Sequence, residues 1–388
     1  MTVDLGSAAV RRLLLVVSAI VFVDTTFYAV VAPLLPHYAD DLHLSKASAG
    51  LLLAAYPAGT LVGALPGGLL AARIGPRPTV LTGLALLAVS SVGFALAGSV
   101  AVLDVARFVQ GLGGACSWAG GLAWLVAAAP GERRGELIGT ALGVAIGGAL
   151  LGPVLGVAAA ALGTRPVFGA VAVIAGALAI AAATTPGGAR LPVAGASLPA
   201  TLRAPGLAWG MWLVAVPGLG FGVLDVLVPL RMDALGASHA AVGAAFLVAA
   251  ATEALISPLV GRVSDRRGPL VPIRAGLAAA IVLVLLVPAP AAAVLTAAAL
   301  VGATGALGAF WAPAMALLSH AAEAVGADQG LAFGLVNFAW ATGMVVGAAG
   351  GGALAKATSD ATPYAVFAAL CAATLAVLAR RPARMSAR

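Results

Sequence analysis

The chain has 388 residues, of which 62% are hydrophobic and only 9% are charged. A soluble domain carries about 25% charged residues, and apolar runs near twenty residues recur along this chain, so a soluble globular fold is excluded. The net charge of +7 concerns membrane topology rather than nucleic-acid binding, because no basic patch is interleaved with aromatic residues. The composition predicts an all-α polytopic membrane protein.

Twelve apolar segments are long enough to cross a bilayer as helices. The first six lie at residues 13–36, 47–71, 78–98, 105–128, 137–160 and 166–184, and the second six lie at 207–230, 240–260, 272–290, 293–319, 330–355 and 363–379. The stretch 185–206 between the two sets is rich in proline and lacks an apolar core, which is typical of a linker. We therefore predict an N-terminal six-helix bundle (1–184), a cytoplasmic linker (185–206) and a C-terminal six-helix bundle (207–388).

Lysine and arginine are distributed unevenly between the two sides of the predicted membrane. Sixteen of the 21 basic residues lie at the termini or in the even-numbered connections. Cytoplasmic loops carry the excess of basic residues. The charge pattern thus predicts that both termini are cytoplasmic, with the chain in the plasma (inner) membrane.

The two halves contain an internal repeat. The stretch Gly68–Pro76 aligns with Gly261–Pro269 at an offset of 193, and Pro33 matches Pro229 at 196. A repeat of six spans predicts two pseudo-symmetric bundles with a site between them near the bilayer midplane, as in secondary transporters.

Several motifs resemble those of the major facilitator superfamily. The stretches GLLAARIGPR (68–77) and GRVSDRRG (261–268) resemble its loop motif, and RFVQGLGGA (107–115) and GALLGPVLG (148–156) resemble the span-4 and span-5 motifs of its twelve-span drug/proton antiporter branch. An aspartate nine residues before the first proline of PLLP is similar to span 1 of tetracycline exporters and vesicular amine transporters. The resemblance implies proton-coupled export of small amphipathic or cationic organic compounds by alternating access.

The resemblance also implies where the chain gates and bends. Gating is expected at the two loop motifs, through Gly68, Arg73, Gly75, Arg77, Gly261, Asp265, Arg266, Arg267 and Gly268. Ala72 replaces the acidic residue of the first motif. We therefore expect Asp265 to contribute more to holding the cytoplasmic gate shut, either by capping the start of a helix or by pairing with the neighbouring loop arginines. Gly148, Gly152, Pro153 and Gly156 form the expected span-5 hinge, with generic close packing of small residues as the alternative.

Asp24 lies near the middle of the first span, where a carboxylate costs roughly 2.5–3.5 kcal/mol. Arg107 in span 4 cannot lose its charge. We hypothesise that protonation of Asp24 weakens its attraction to Arg107 and shifts the equilibrium between inward- and outward-facing states. The alternative is structural: a hydrogen-bonded Asp24, and an Arg107 held by backbone carbonyls or by Asp104.

Further residues are candidates for a substrate site or a second proton site. They are Asp225, Glu253, Tyr28, Gln110, Trp118, Phe310, Trp311, Asn337 and Trp340. Tyr56 and Phe221 complete the set of aromatic side chains expected near a cavity, although packing against lipid or protein is the alternative for every aromatic.

No Cys/His cluster and no phosphate-binding glycine loop occurs in the spans, so we expect no metal site and no cofactor, with a proton gradient as the energy source. The expected partners are a small-molecule substrate and the lipid bilayer, with no nucleic acid, and we expect a functional monomer. Alternatives are a symporter or facilitator for a sugar or other metabolite, or a non-transporting membrane sensor. An enzyme is not expected, since no nucleophile–base pair is found.

Overall fold

The computed structural model describes residues 7–128, 134–186, 198–327 and 329–380, which contain helices and no strand. Helices α1 to α7 are Ser7–Ala29, Val31–Asp41, Lys46–Ile74, Pro76–Leu96, Val100–Ala128, Arg134–Leu162 and Thr164–Ala183. Helices α8 to α15 are Leu198–Leu202, Leu207–Ala234, His239–Arg267, Leu270–Leu286, Ala293–Glu323, Gln329–Val345, Gly351–Ala357 and Ala361–Arg380. A π-helical turn, Val346–Gly350, joins α13 to α14.

The described helices account for the predicted spans. Eleven helical segments are long and apolar enough to cross a membrane, and the shorter apolar helix Leu270–Leu286 lies where the ninth span is predicted. The first span is interrupted at Val30, between α1 and α2. Pro33 explains the interruption, because it has no backbone N–H to donate to the carbonyl of Ala29 and its ring crowds that carbonyl.

The helices form two compact units. The first contains α1, most of α3, α4 to α7 and the beginning of α13, up to Phe338. The second contains α2, the beginning of α3 up to Ala54, α8 to α12, and the chain from Ala339 onward. The second unit therefore includes one contiguous segment from the first half of the sequence, Ala32–Ala54. Residues 187–197 of the predicted linker lie outside the described residues, so the predicted bundle boundaries stay a prediction.

The backbone repeats itself at the two loop motifs. Gly75 has φ 101° before α4, and Gly268 has φ 82° after α10. These positions are 193 residues apart, which is the offset found in the sequence. A side chain is strained at such positive φ values, so glycine is the residue that permits each turn.

A second repeated feature is the close approach of helices at glycine. A Cβ atom built on Gly148 of α6 would lie 2.4 Å from the carbonyl oxygen of Phe22 in α1. A Cβ atom built on Gly343 of α13 would lie 2.0 Å from the carbonyl oxygen of Ala215 in α9. Within each unit, a glycine thus lets one long helix contact the backbone of another.

Candidate functional site

Asp24 lies on α1 in the interior of the first unit, with 2% of its surface exposed. Its Oδ2 atom accepts hydrogen bonds from Trp118 Nε1 at 3.0 Å and from the Tyr56 hydroxyl at 3.1 Å. Its Oδ1 atom is buried and has no hydrogen-bond partner among the described residues. Donors from α3 and α5 therefore converge on one oxygen of a carboxylate supplied by α1.

Gly114 on α5 makes room for this arrangement. A Cβ atom at Gly114 would lie 2.7 Å from the Tyr56 hydroxyl oxygen and 3.1 Å from Asp24 Oδ1. Gly114 and Trp118 are four residues apart, so they share one face of α5. The missing side chain of Gly114 leaves space for the Asp24 carboxylate on that face, and Trp118, one turn further along α5, donates a hydrogen bond to it.

Arg107 is fully buried on α5 and binds to backbone carbonyls of α1. Its Nη1 atom donates to the oxygen of Phe27 at 3.3 Å and to Gln110 Oε1 at 2.8 Å, and its Nη2 atom donates to the oxygen of Tyr28 at 2.7 Å. The carbonyl-bound alternative from the sequence thus describes the contacts of Arg107 in this structure.

Tyr56 connects the two charged groups. The guanidinium carbon of Arg107 lies 5.0 Å from the centre of the Tyr56 ring and 5.4 Å from that of Tyr28. The two tyrosine rings are 4.8 Å apart. Tyr56 therefore binds Asp24 through its hydroxyl and Arg107 through its ring face, which attracts cations. The sequence named Tyr56 only as one aromatic among several, since no local spacing relates it to Asp24.

Gln110 is also fully buried. Its Oε1 atom accepts from Arg107, while its Nε2 atom has no partner among the described residues. We use the name carboxylate cluster for Asp24, Tyr28, Tyr56, Arg107, Gln110 and Trp118. All of its members belong to the first unit.

Glu253 occupies a different position in the second unit. It lies half-buried on α10 and packs against Gly308 of α12, where a built Cβ atom would lie 2.6 Å from Glu253 Cγ and 3.2 Å from Oε1. No hydrogen bond or ion pair to Glu253 is found in the described ranges. The glycine on α12 thus accommodates an acidic side chain between two apolar helices.

The remaining candidates are spread over three helices. Phe310 is fully buried, with its ring against Gly276 of α11, which corresponds to the packing alternative. Asp225 on α9 and Trp311 on α12 are half-buried. Asn337 and Trp340 are half-buried on α13 and belong to the first and the second unit, respectively.

The predicted gating residues lie at helix ends. Gly68 and Gly261 have open space where a Cβ atom would be, and Arg73, Arg266 and Arg267 are exposed. Asp265 is exposed, and no ion pair within 4 Å involves it in the part of the chain that the structure describes. The expected pairing of Asp265 with loop arginines is thus not formed here.

Two arginines instead bind helix ends elsewhere. Arg77 at the beginning of α4 donates to the carbonyl of Ala183, at the end of α7. Arg274 on α11 donates to the carbonyl of Leu378 at 2.8 Å, near the end of α15. A cation at the carboxyl end of a helix is stabilised by the helix dipole.

The predicted span-5 hinge lies on a continuous helix. Helix α6 runs from Arg134 to Leu162 with Pro153 inside it. Gly152 packs against Ala29 of α1, where a built Cβ atom would lie 2.4 Å from the alanine Cβ, and Gly156 is buried. Close packing of α6 on α1 is therefore the role visible in this structure.

Comparison with known proteins places the chain among transporters. A family model described as Major Facilitator Superfamily matches residues 17–230 and 210–387. The human synaptic vesicular amine transporter is 33% identical over 109 residues, which cover 28% of this chain and 21% of that protein. The mouse synaptic vesicular amine transporter is 33% identical over 114 residues, 29% of this chain and 22% of that protein. The matched region thus spans about a fifth of the length of these relatives.

A solved structure extends the comparison to the whole fold. The partially occluded inward-open structure of the xylose transporter XylE from E. coli superposes with a TM-score of 0.73. It is 15% identical, and the match covers 96% of this chain and 99% of that chain. At this identity the likeness concerns the fold alone.

Proposed function

The chain belongs to the major facilitator superfamily, and from that premise we propose that it is a proton-coupled exporter of small amphipathic or cationic organic compounds. Membership makes it a multi-pass membrane protein and a secondary transporter of small molecules rather than an enzyme. The proposal adds the coupling ion, the outward direction and the substrate class. It also places the protein in the plasma membrane as a monomer, with both termini in the cytoplasm, working by alternating access.

The burial of Asp24 is the observation that carries the proposal. A carboxylate inside a membrane span is costly and is functional by default. Two donors bind one of its oxygens, whereas the other oxygen has no partner among the described residues and is available to take up a proton. Hydrogen bonds to an ionised acceptor are stronger than those to a neutral one. Protonation would therefore weaken the attachment of α1 to Tyr56 on α3 and Trp118 on α5.

Arg107 supplies the second half of the proposed mechanism. Its charge is permanent, and its bonds to the carbonyls of Phe27 and Tyr28 attach α5 to the same helix that carries Asp24. Helix α1 is thus held by one attachment that a proton can weaken and by one that it cannot. We propose that this difference lets proton uptake tilt α1 about the Arg107 contact, and that the tilt couples the proton to transport.

Two observations support the proposed substrate class: a half-buried acidic side chain in the second unit and the similarity to amine transporters. Glu253 in the second unit is a half-buried acid without a partner in the described ranges, and together with aromatic side chains it offers features that attract organic cations. The matched relatives are named as amine transporters. Sugars require many hydrogen bonds, whereas Gln110 and Asn337 are the amide side chains among the candidate residues for the substrate site.

The test is transport in proteoliposomes that contain the purified full-length protein, with an imposed pH gradient. The panel comprises a lipophilic amine, a quaternary ammonium dye and xylose. We expect the cations to move only with the gradient, and Asp24→Asn to abolish gradient-driven movement, because asparagine keeps the size of the side chain but cannot exchange a proton. Asp104→Asn is the matched control, since Asp104 is a half-buried aspartate of the same unit outside the carboxylate cluster.

Each part of the proposal can fail separately. Full gradient-driven transport by Asp24→Asn would remove Asp24 as the coupling group. Movement of xylose in preference to both cations would overturn the substrate class. Equal loss of transport in Asp104→Asn would show that the assay responds to any aspartate of this unit rather than to the cluster.

A further inference from the structure

A second group of chemically reactive side chains lies at the end of the second unit where α2 leads into α3. The carboxylates of Asp40 on α2 and Asp233 on α9 and the imidazole of His239 on α10 have ligand atoms within 4.8 Å of one another. Asp40 is exposed, and Asp233 and His239 are half-buried. Three possible metal ligands from three helices therefore meet at a place that solvent can reach.

The connection between α9 and α10 fixes two of these groups. Helix α9 ends in a Schellman motif, in which Gly236 N donates to Asp233 O at 2.8 Å and Ala237 N donates to Met232 O at 3.0 Å. Gly236 adopts φ 80°, as this motif requires. The Ser238 side chain then caps α10 by accepting from Ala241 N. Asp233 and His239, on either side of this turn, are thus held by backbone structure.

The charge of the group is unbalanced. Two carboxylates from different helices repel one another at this separation. No Lys or Arg nitrogen lies within 4 Å of either carboxylate in the described residues. The nearby acid Asp41 faces His37, at 3.4 Å from Nε2, and the His37 ring lies against that of His239 at 6.1 Å between centres. A bound cation would offset the repulsion between Asp40 and Asp233.

The donor atoms indicate which cation fits. Calcium and magnesium prefer oxygen ligands alone and take six or more of them. A site that combines imidazole with carboxylate ligands instead suits zinc and other first-row transition metals. Two ligands of a tetrahedral zinc ion lie about 3.4 Å apart at bond lengths of about 2.0–2.2 Å. The ligand atoms lie within 4.8 Å of one another here, so binding would draw them together by up to about 1.4 Å. We infer that Asp40, Asp233 and His239 form a binding site for a divalent transition metal such as Zn²⁺.

The site has a consequence for transport. All three ligands lie in the second unit, and α1, which the proposed mechanism tilts, continues directly into α2. On that proposed mechanism, a metal ion that ties α2 to α9 and α10 would restrain the tilt of α1, and so external Zn²⁺ slows the transport cycle.

Direct binding to the purified, EDTA-washed full-length protein tests the site without relying on the proposed function. Zn²⁺ is titrated in competition with a chromophoric zinc indicator. We expect one site in the wild type, at least about tenfold weaker binding in His239→Ala and in Asp233→Asn, and no change in His43→Ala or His320→Ala. The controls are exposed histidines outside the cluster, and His43 lies at the same end of the unit.

Transport in proteoliposomes provides the second measurement. We expect Zn²⁺ added at the α2–α3 end to slow the wild type and the two control variants but not His239→Ala or Asp233→Asn, with EDTA restoring the rate. Ca²⁺ or Mg²⁺ binding as tightly as Zn²⁺ would overturn the assignment to a transition metal. Equal zinc binding by the wild type and by a His239→Ala, Asp233→Asn double variant would overturn the site itself, whether or not transport is detected.

Discussion

The hydrogen bonds of the buried Arg107 side chain depend on the shape of its guanidinium group. Its two terminal nitrogens bind three acceptors, two on α1 and one on its own helix. Arginine can do this because its donors form a rigid planar fork, whereas lysine presents a single compact ammonium group. The charge of Arg107 and the geometry of its donors can therefore be separated by experiment.

We predict that Arg107→Lys abolishes transport and lowers the thermal unfolding temperature, although it keeps the charge. Each buried acceptor left without a donor costs about 1–3 kcal/mol. Unfolding in detergent and gradient-driven uptake measure the two effects. Arg165→Lys is the control, because Arg165 is exposed at the beginning of α7. Wild-type stability and transport in Arg107→Lys would show that the planar arrangement of the guanidinium donors is not required.

The sequence identified Asp24 and Arg107 because a charge in an apolar segment is expensive whatever its neighbours are. It did not reveal that Tyr56 lies between them. That contact depends on how α3 crosses α5, and no spacing along one helix reports on a crossing between two. The same limit applies to Asp40, which lies nearly two hundred residues before Asp233 and His239 in the chain.

At the scale of helices, the crossing of α3 and α5 depends on two glycines. A Cβ atom on Gly59 would lie 2.0 Å from the carbonyl oxygen of Phe108, and one on Gly111 would lie 2.0 Å from that of Tyr56. Each helix thus places a glycine against the backbone of the other. Periodicity and composition predicted both helices, but they did not predict which glycines mark the contact.

We predict that Gly59→Ala destabilises the protein by about 1–3 kcal/mol, since overpacking forces the backbones apart. Gly143→Ala on α6 should instead stabilise the protein, because a Cβ atom at Gly143 would meet nothing within 4 Å. Alanine is also favoured over glycine in a helix by about 0.8–1.0 kcal/mol. Thermal unfolding of both variants measures the difference. A Gly59→Ala protein as stable as Gly143→Ala would show that the crossing tolerates a side chain.

At the scale of the whole molecule, hydropathy and the repeat were sufficient to predict the helices and the fold, because a membrane requires long apolar helices. The orientation of the chain in the membrane is still a prediction from its basic residues. It can be tested with single cysteines, because the two native ones, Cys116 and Cys371, are half-buried and buried and can be replaced by alanine.

In that background we predict that Ser99→Cys reacts with a membrane-impermeant maleimide in intact cells, whereas Ala324→Cys reacts only after permeabilisation. Both positions are exposed, in the α4–α5 and α12–α13 connections, and the basic residues place these connections on opposite sides. Labelling is read by a mass shift on a gel. The reverse pattern would invert the topology and place the metal site in the cytoplasm.

The glycine contacts that recur in both units bear on the history of the chain. A duplicated ancestral gene explains why Gly148 meets α1 as Gly343 meets α9. The counterpart of Asp24 at the offset of 196 is Gly220, where a Cβ atom would lie 2.6 Å from the ring of Phe367. The second copy is thus filled with aromatic packing where the first holds its carboxylate. The two copies thus share a scaffold of helices and differ in chemistry, because only the first carries a buried carboxylate at this position.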